Sequence, residues 1–115
     1  MIEREGIAMS TIQYNKLVRD RIPEIIEASG KRCICSTLSD EEYLAKLDEK
    51  LNEEMAEYQE SKSMEELADL LEVIRAVAVA RGSSIEEVEA TRRDKAAKRG
   101  GFVKKILPTE VTTDD

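Results

Sequence analysis

The sequence predicts an all-α fold, and three features of the chain support this prediction. Charged residues make up 37% of the 115 residues and apolar residues 41%, with three tyrosines and one phenylalanine as the aromatic residues. This composition is typical of highly charged, helix-rich proteins. Glycines stand where helix C-termini are expected, at Gly82 and Gly100. The third feature is a serine followed three positions later by a glutamate, the pattern of an N-terminal capping box, at Ser39, Ser63 and Ser84.

Taken in chain order, these signals place four helices. The first is short and spans residues 22–28, with Pro23 in its first turn and Gly30 just past its end. The capping boxes then open three longer helices, at approximately residues 40–60, 64–81 and 85–99.

Two segments outside these helices lack a helical period. Residues 32–38 are rich in Ile, Thr and Cys and indicate either a connector or a short β-strand. Residues 102–107 are apolar and β-compatible, and Pro108 ends them. The chain is long enough for one domain. We therefore expect an N-terminal extension, an all-α domain and a loose C-terminal tail, at residues 1–13, 14–107 and 108–115.

Composition excludes several classes of protein. The formal net charge of −7 argues against a protein that binds a nucleic-acid polymer. We expect no membrane partner, because no apolar run reaches spanning length and the N-terminus lacks a signal-peptide apolar region. Cys33 and Cys35 have no further Cys or His to complete a zinc site, and a disulfide between alternate residues is strained. These features predict a cytoplasmic protein with reduced cysteines.

The second predicted helix carries one apolar stripe, and Glu53, Glu54 and Glu57 lie at different angles from it around the helix axis. At about 100° per residue, Glu54 falls about 60° from the centre of the stripe, Glu57 about 120° away and Glu53 nearly opposite. We therefore expect Glu54 at an interface and Glu53 in solvent. The stripe consists of Leu44, Leu47, Leu51, Met55 and Tyr58.

The third predicted helix is apolar on almost every side. Only Asp69, Glu72 and Arg75 interrupt it, along one narrow line. A helix of this kind is buried against more than one neighbour, and so short a chain has too few helices to cover it. The pattern predicts a helical bundle completed by homodimerisation, as a dimer or a dimer of dimers.

Two carboxylate pairs on these consecutive helices are the main functional signal. Glu54 with Glu57, and Glu66 with Asp69, are spaced three apart and so share a helix face. Clustered carboxylates repel one another unless a cation lies between them, and oxygen ligands suit Mg²⁺ or Mn²⁺. Two alternatives stay open: Glu66 as the return half of a capping box, and Asp69 as the partner of a basic residue.

Cations are concentrated in two other segments. The first, residues 14–23, holds Lys16, Arg19 and Arg21 before a helix N-terminus that favours anions. The second, residues 95–102, holds Lys95 and Arg99 before a double glycine. Phosphate binding is one interpretation of both segments. A basic surface arm and a helix C-terminus stabilised by its dipole are the alternatives.

Three sequence blocks follow one another along the chain. They are Y-N-K-L-V-R-D-R-I-P from Tyr14, E-E-x-x-E with E-x-x-D from Glu53 to Asp69, and K-R-G-G-F ending at Phe102. Together these blocks resemble the all-α NTP pyrophosphatase superfamily, which includes MazG-like proteins, phosphoribosyl-ATP pyrophosphohydrolases and dimeric dUTPases. Within it they are most similar to a compact branch of house-cleaning nucleotide pyrophosphohydrolases.

The resemblance implies an enzyme that hydrolyses a nucleoside triphosphate between its α and β phosphates. It implies Mg²⁺ as cofactor, with Mn²⁺ as a substitute, and Glu53 as a supporting carboxylate. Its implied metal ligands are Glu54, Glu57, Glu66 and Asp69, and its implied catalytic carboxylates are Glu53, Glu54 and Glu57. Charge and motif position make Lys16, Arg19, Arg21, Lys95 and Arg99 the candidate substrate-binding residues. A non-catalytic helical dimer that binds nucleotide or a protein partner, and phosphoribosyl-ATP hydrolysis, are the alternative functions.

Overall fold

A computed structural model describes residues 11–114, and over that range the chain forms four α-helices and no β-strand. The predicted all-α class is therefore confirmed. Each helix boundary lies within one residue of the predicted position. The helices are α1 (Ile22–Ala28), α2 (Asp40–Ser61), α3 (Met64–Ala80) and α4 (Ile85–Arg99).

The three predicted capping boxes differ in how completely they form. At α2 the box is complete: Ser39 Oγ accepts from the Glu42 N–H at 3.2 Å, and Glu42 Oε1 accepts from the Ser39 N–H at 3.0 Å. At α3, Ser63 Oγ accepts from the Glu66 N–H at 3.2 Å, but the Ser63 N–H donates to Ser61 Oγ instead of to Glu66. The Glu66 carboxylate is thus not committed to helix capping.

The start of α4 repeats this incomplete pattern. Ser84 Oγ accepts from the Glu87 N–H at 3.1 Å, whereas the Glu87 carboxylate accepts from the Ser83 hydroxyl. The prediction of a full capping box is therefore correct at α2 and wrong in its second half at α3 and α4.

The predicted β segments do not form. Residues 32–38 are the connector between α1 and α2, which was the alternative interpretation, and residues 102–107 contain a turn followed by irregular backbone. β-Propensity alone does not make a strand, because a strand needs a partner to share its hydrogen bonds, and the described chain offers only helices. Residues 108–114 are likewise irregular and exposed. The expected extension at residues 1–13 falls largely on residues outside the described range.

A two-residue connection, Lys62 and Ser63, joins α2 to α3. Lys62 adopts a left-handed conformation, with φ of 57°, and its N–H bonds the Tyr58 carbonyl. So short a connection makes the two helices antiparallel neighbours, and α3 also packs against α4. Glu57 and Glu66 lie within about one turn of this connection, with Glu54 and Asp69 about one turn further along their helices. The hairpin therefore brings the two carboxylate pairs together.

The apolar core within one chain is small. Among residues 11–114, the buried apolar residues are Leu47, Val73 and Ala78. On α3, Leu71 is 57% exposed and Val79 is 60% exposed. The radius of gyration is 21.3 Å, compared with about 13 Å expected for a compact domain of this length. The exposed apolar side chains of α3 are the surface that the predicted assembly would cover. The assembly itself stays a prediction.

One negative result concerns membranes. Within residues 11–114, none of the helices combines the length and apolar character needed to cross a bilayer.

Replacing Val79 by Asp tests the assembly prediction. Because Val79 is 60% exposed in one chain, a monomer should tolerate the change to within about 0.5 kcal/mol of unfolding free energy. If α3 is covered by a second chain, the new charge should dissociate or unfold the protein. Ala90→Asp, at an exposed position of α4, controls for the helix propensity of Asp. Analytical ultracentrifugation and urea unfolding distinguish the two results, and a well-folded wild-type monomer would contradict the assembly.

Candidate metal centre

Carboxylate oxygens from α2 and α3 converge in two overlapping groups. Glu53, Glu54 and Glu57 form one group, and Glu54, Glu66 and Asp69 form the other. Within each group, one oxygen from every residue lies within 4.8 Å of the others. Glu54 belongs to both groups, and it is therefore the centre of the cluster. Of the four predicted metal ligands, Glu54, Glu66 and Asp69 thus share one group, and Glu57 meets Glu54 in the other.

Glu54 is the only charged residue of the described chain that is buried, at 6% exposure. This confirms the sequence prediction that it faces an interface. Its Oε2 atom is buried and has no hydrogen-bond partner. Burial raises the pKa of the Glu54 carboxyl group, and the negative charge of Glu57 raises it further. An unpartnered buried carboxylate is costly, and a cation at this point would remove that cost.

Glu66 is the second carboxylate with an unsatisfied buried oxygen, again its Oε2. Burial raises the pKa of Glu66, and the charges of Glu57 and Asp69 and a hydrogen bond to Glu57 add to the effect. A cation beside the unpartnered oxygen of Glu66 would relieve both its burial cost and its repulsion from the neighbouring carboxylates.

Glu53 differs from the sequence prediction, which placed it in solvent. Its side chain is 21% exposed and contacts Lys16 Nζ at 3.0 Å through Oε2, and Lys50 Nζ through Oε1. The hydrogen bond from Lys50, followed by that from Lys16, lowers the pKa of Glu53. The prediction failed because a helical wheel of α2 does not include the segment that precedes α1.

That segment, Asn15 to Arg19, is here called the N-terminal arm. Asn15 has a φ of 48°, a left-handed conformation that asparagine adopts more readily than most residues. Its carbonyl accepts from Lys46 Nζ at 3.3 Å, and Lys16 binds Glu53 on the same helix. Further along, Arg19 Nη2 donates to Asp69 Oδ1 on α3 at 2.6 Å. The arm therefore bridges the two helices that carry the carboxylates.

The five predicted substrate-binding cations separate into three sites. Lys16 and Arg19 contact the carboxylate cluster. Arg21 pairs instead with Glu24 of α1, at 2.9 Å. Lys95 and Arg99 line an open groove along α4, together with Val88 and the exposed Phe102. In the part of the chain that the structure describes, neither of these last two cations forms an ion pair with the cluster, whose carboxylates pair instead with Lys16, Arg19 and Lys50.

Two lysines beside the cluster were missed from the sequence. Lys50 binds Glu53, and Lys46 holds the arm through the Asn15 carbonyl. The signal for Lys50 was present, because it precedes Glu53 by three residues and such pairs meet on a helix. Lys46 also pairs with Glu49 within α2, but nothing local identifies its contact with the arm, because Asn15 is 31 residues away in the chain.

The cluster fits a hard divalent cation. Its donors are all carboxylate oxygens, which is the set that Mg²⁺ and Mn²⁺ prefer. Oxygens on opposite sides of Mg²⁺ stand about 4.2 Å apart, twice a bond length of about 2.1 Å. The oxygens of each group already lie within 4.8 Å of one another. The donors of each group could therefore hold a divalent cation between them, and Glu54 Oε2 and Glu66 Oε2 have no other partner.

Comparison with known proteins gives one similarity. The chain is 64% identical over 42 residues to an uncharacterized protein of Mycolicibacterium smegmatis, and the match covers 36% of this chain and 43% of that protein. The matched part thus spans less than half of the relative's length. No protein-family model matches the chain. No solved structure matches it.

Glu54→Gln tests the electrostatics of the metal-free cluster through pH. The raised pKa of Glu54 means that its favourable contribution is present below the ordinary value of 4.5 and is lost as pH rises through the folded-state value. Because glutamine does not titrate, the variant does not lose stability at this position as the pH rises. Its unfolding free energy relative to wild type should therefore increase as the pH rises from 4.5 towards neutrality. Urea unfolding in the presence of a chelator measures the difference, and a constant difference across this range would contradict the prediction.

Proposed function

We propose that the protein is a Mg²⁺-dependent nucleotide pyrophosphohydrolase that cleaves a nucleoside triphosphate between its α and β phosphates. The products are the nucleoside monophosphate and pyrophosphate. One observation carries the proposal: Glu54 is buried at the junction of two carboxylate groups, and one of its oxygens has no partner. A buried charge without a partner is expensive, and a metal-binding role accounts for it.

The ligand set supports a metal used in phosphate chemistry. Glu54, Glu57, Glu66 and Asp69 would hold the ion, and their four negative charges would retain it while a negatively charged substrate binds and leaves. When bound, Mg²⁺ neutralises phosphate charge and lowers the pKa of a bound water molecule, which makes that water easier to deprotonate near neutral pH. The chain contains no histidine, so the proton of the attacking water must pass to another group. Glu57 is the exposed carboxylate of the cluster and is the one we assign as proton acceptor.

The N-terminal arm supports a phosphate substrate. Lys16 and Arg19 present two cations at the edge of the carboxylate cluster, where they could bind phosphate oxygens of a substrate. Glu53 has a different role from its neighbours, since Lys16 and Lys50 occupy both of its oxygens. We assign it to holding these lysines in place, and not to proton transfer.

An assembly would complete this site. Lys95 and Arg99 line a basic groove of α4, and within residues 11–114 they form no ion pair with the carboxylate cluster. Exposed apolar residues on α3 favour a second chain beside the hairpin. In a homodimer, or a dimer of dimers, this groove from one subunit can face the carboxylates of the other.

The second candidate is a non-catalytic helical dimer that binds nucleotide or a protein partner. The ion pair between Arg19 and Asp69 favours it, because Asp69 then has a structural partner without any metal. The resemblance also keeps phosphoribosyl-ATP hydrolysis as an alternative substrate. The unsatisfied oxygens of Glu54 and Glu66 favour the metal-dependent enzyme over a purely structural cluster.

Product analysis distinguishes these functions. Purified protein is incubated with Mg²⁺ and a panel of standard nucleotides, damaged nucleotides and phosphoribosyl-ATP, and the products are separated by anion-exchange chromatography. Equal amounts of monophosphate and pyrophosphate are expected. Release of single phosphate would contradict cleavage between the α and β phosphates. Tight nucleotide binding with no product would select the second candidate. Turnover of phosphoribosyl-ATP alone would select phosphoribosyl-ATP hydrolysis as the function.

Two substitutions test the assigned ligands. Glu54→Gln and Asp69→Asn should each reduce Mg²⁺-dependent turnover by at least about 100-fold while leaving the metal-free fold intact. Both should also lose the Mg²⁺-induced rise in melting temperature that we expect of wild type. Glu60→Gln removes the same charge from an exposed position of α2 outside both groups and should behave as wild type. Equal stabilisation of all four proteins by Mg²⁺ would show that Glu54 and Asp69 are not ligands.

A further inference from the structure

Positive charge is distributed unevenly over the carboxylate cluster. Arg19 Nη2 contacts Asp69 Oδ1 at 2.6 Å, and Lys16 contacts Glu53 at 3.0 Å. Glu54 and Glu66 each keep a buried oxygen with no partner. The arm thus neutralises the edges of the cluster and leaves its centre unsatisfied. Of the four proposed metal ligands, Asp69 is the one that the arm occupies.

The two contacts of the arm differ in what they hold. Lys16 binds Glu53, which lies outside the set of proposed ligands, and Lys46 fixes the neighbouring Asn15 carbonyl. This end of the arm has no reason to move when a metal binds. Arg19, three residues later, binds a proposed ligand directly.

The Arg19 contact is of a kind that exchanges easily. It uses one guanidinium nitrogen, not the bidentate arrangement that gives arginine its strongest carboxylate pairs. The two side chains are 56% and 39% exposed, and exposed single ion pairs contribute little to stability. A divalent cation held by Glu54, Glu66 and Asp69 would interact with several carboxylates at once, so it would compete effectively with Arg19 for Asp69.

We propose that Arg19 is an exchangeable counter-ion of the site. It neutralises Asp69 in the metal-free protein, leaves when a divalent cation binds the cluster, and is then free to bind a phosphate oxygen of the nucleotide. The proposal rests on the proposed function, because it takes the metal site and the phosphate substrate from it. It adds that metal binding and substrate binding are coupled through one side chain.

This exchange has a thermodynamic consequence of definite sign. Metal competes with Arg19 for Asp69, and phosphate competes with Asp69 for Arg19. Each ligand therefore removes a competitor of the other, and by linkage the coupling is reciprocal. Removing the guanidinium group should tighten metal binding in the absence of nucleotide and weaken nucleotide binding in the presence of metal. An ion pair remote from the cluster gives no such opposite effects, because its charge is screened.

The test uses the full chain and Mn²⁺ as the probe, with free Mn²⁺ measured by electron paramagnetic resonance. Arg19→Gln should bind Mn²⁺ on the order of fivefold more tightly than wild type. Arg19→Lys keeps the charge and should return the dissociation constant towards the wild-type value. The matched control is Arg81→Gln, because Arg81 forms a similar exposed pair through Nη2 to Asp48 Oδ2, at 3.3 Å, outside both carboxylate groups. This control should stay within about twofold of wild type.

The second measurement repeats the titration with a non-hydrolysable triphosphate analogue. In wild type and Arg81→Gln, the analogue should tighten Mn²⁺ binding more than it does in Arg19→Gln. The proposal would be overturned if Arg19→Gln binds Mn²⁺ no more tightly than wild type, or if Arg81→Gln shows the same increase in affinity. This holds even if wild type hydrolyses nucleotides. Conversely, the protein could show the expected changes in Mn²⁺ affinity and yet produce no monophosphate and pyrophosphate. That result would support the exchange and refute the proposed enzymatic activity.

Discussion

The two-residue connection between α2 and α3 is the constraint on which the rest of the structure depends. It forces the two helices into an antiparallel pair, and that pairing sets Glu54 and Glu57 beside Glu66 and Asp69. Like charges at this separation repel strongly in a partly buried environment. The remaining polar contacts near the cluster are therefore best understood as responses to that repulsion.

The responses are of two kinds. At the edges, Lys50 and Lys16 surround Glu53, and Arg19 binds Asp69. At the centre, no cation of the described chain contacts Glu54 or Glu66, and protonation is the remaining way to reduce their charge. A protein that needed only a stable hairpin would be better served by apolar residues at these positions. The uneven neutralisation thus favours a functional interpretation of the centre.

Local signals in the sequence were enough to predict the helices and the burial of Glu54. Capping serines and an apolar stripe depend on residues within one or two turns, so no knowledge of the tertiary structure is needed. The environment of Glu53 was not predictable in this way, since Lys16 is 37 positions distant in the chain. The β segments failed for the opposite reason, because local propensity was present and a pairing partner was not. The separation of Lys95 and Arg99 from the cluster follows from the packing order of the helices, which their charge does not specify.

The closeness of the four carboxylates along the chain has a consequence for folding kinetics. Glu54 and Asp69 delimit sixteen consecutive residues, and the contacts between α2 and α3 are accordingly short in sequence separation. Helical structures with such local contacts form within about microseconds to milliseconds, faster than most encounters between dilute chains. The hairpin that carries the carboxylates is thus expected to form in each newly made chain before chains meet one another. If chains associate as predicted, they would do so with these carboxylates already close together.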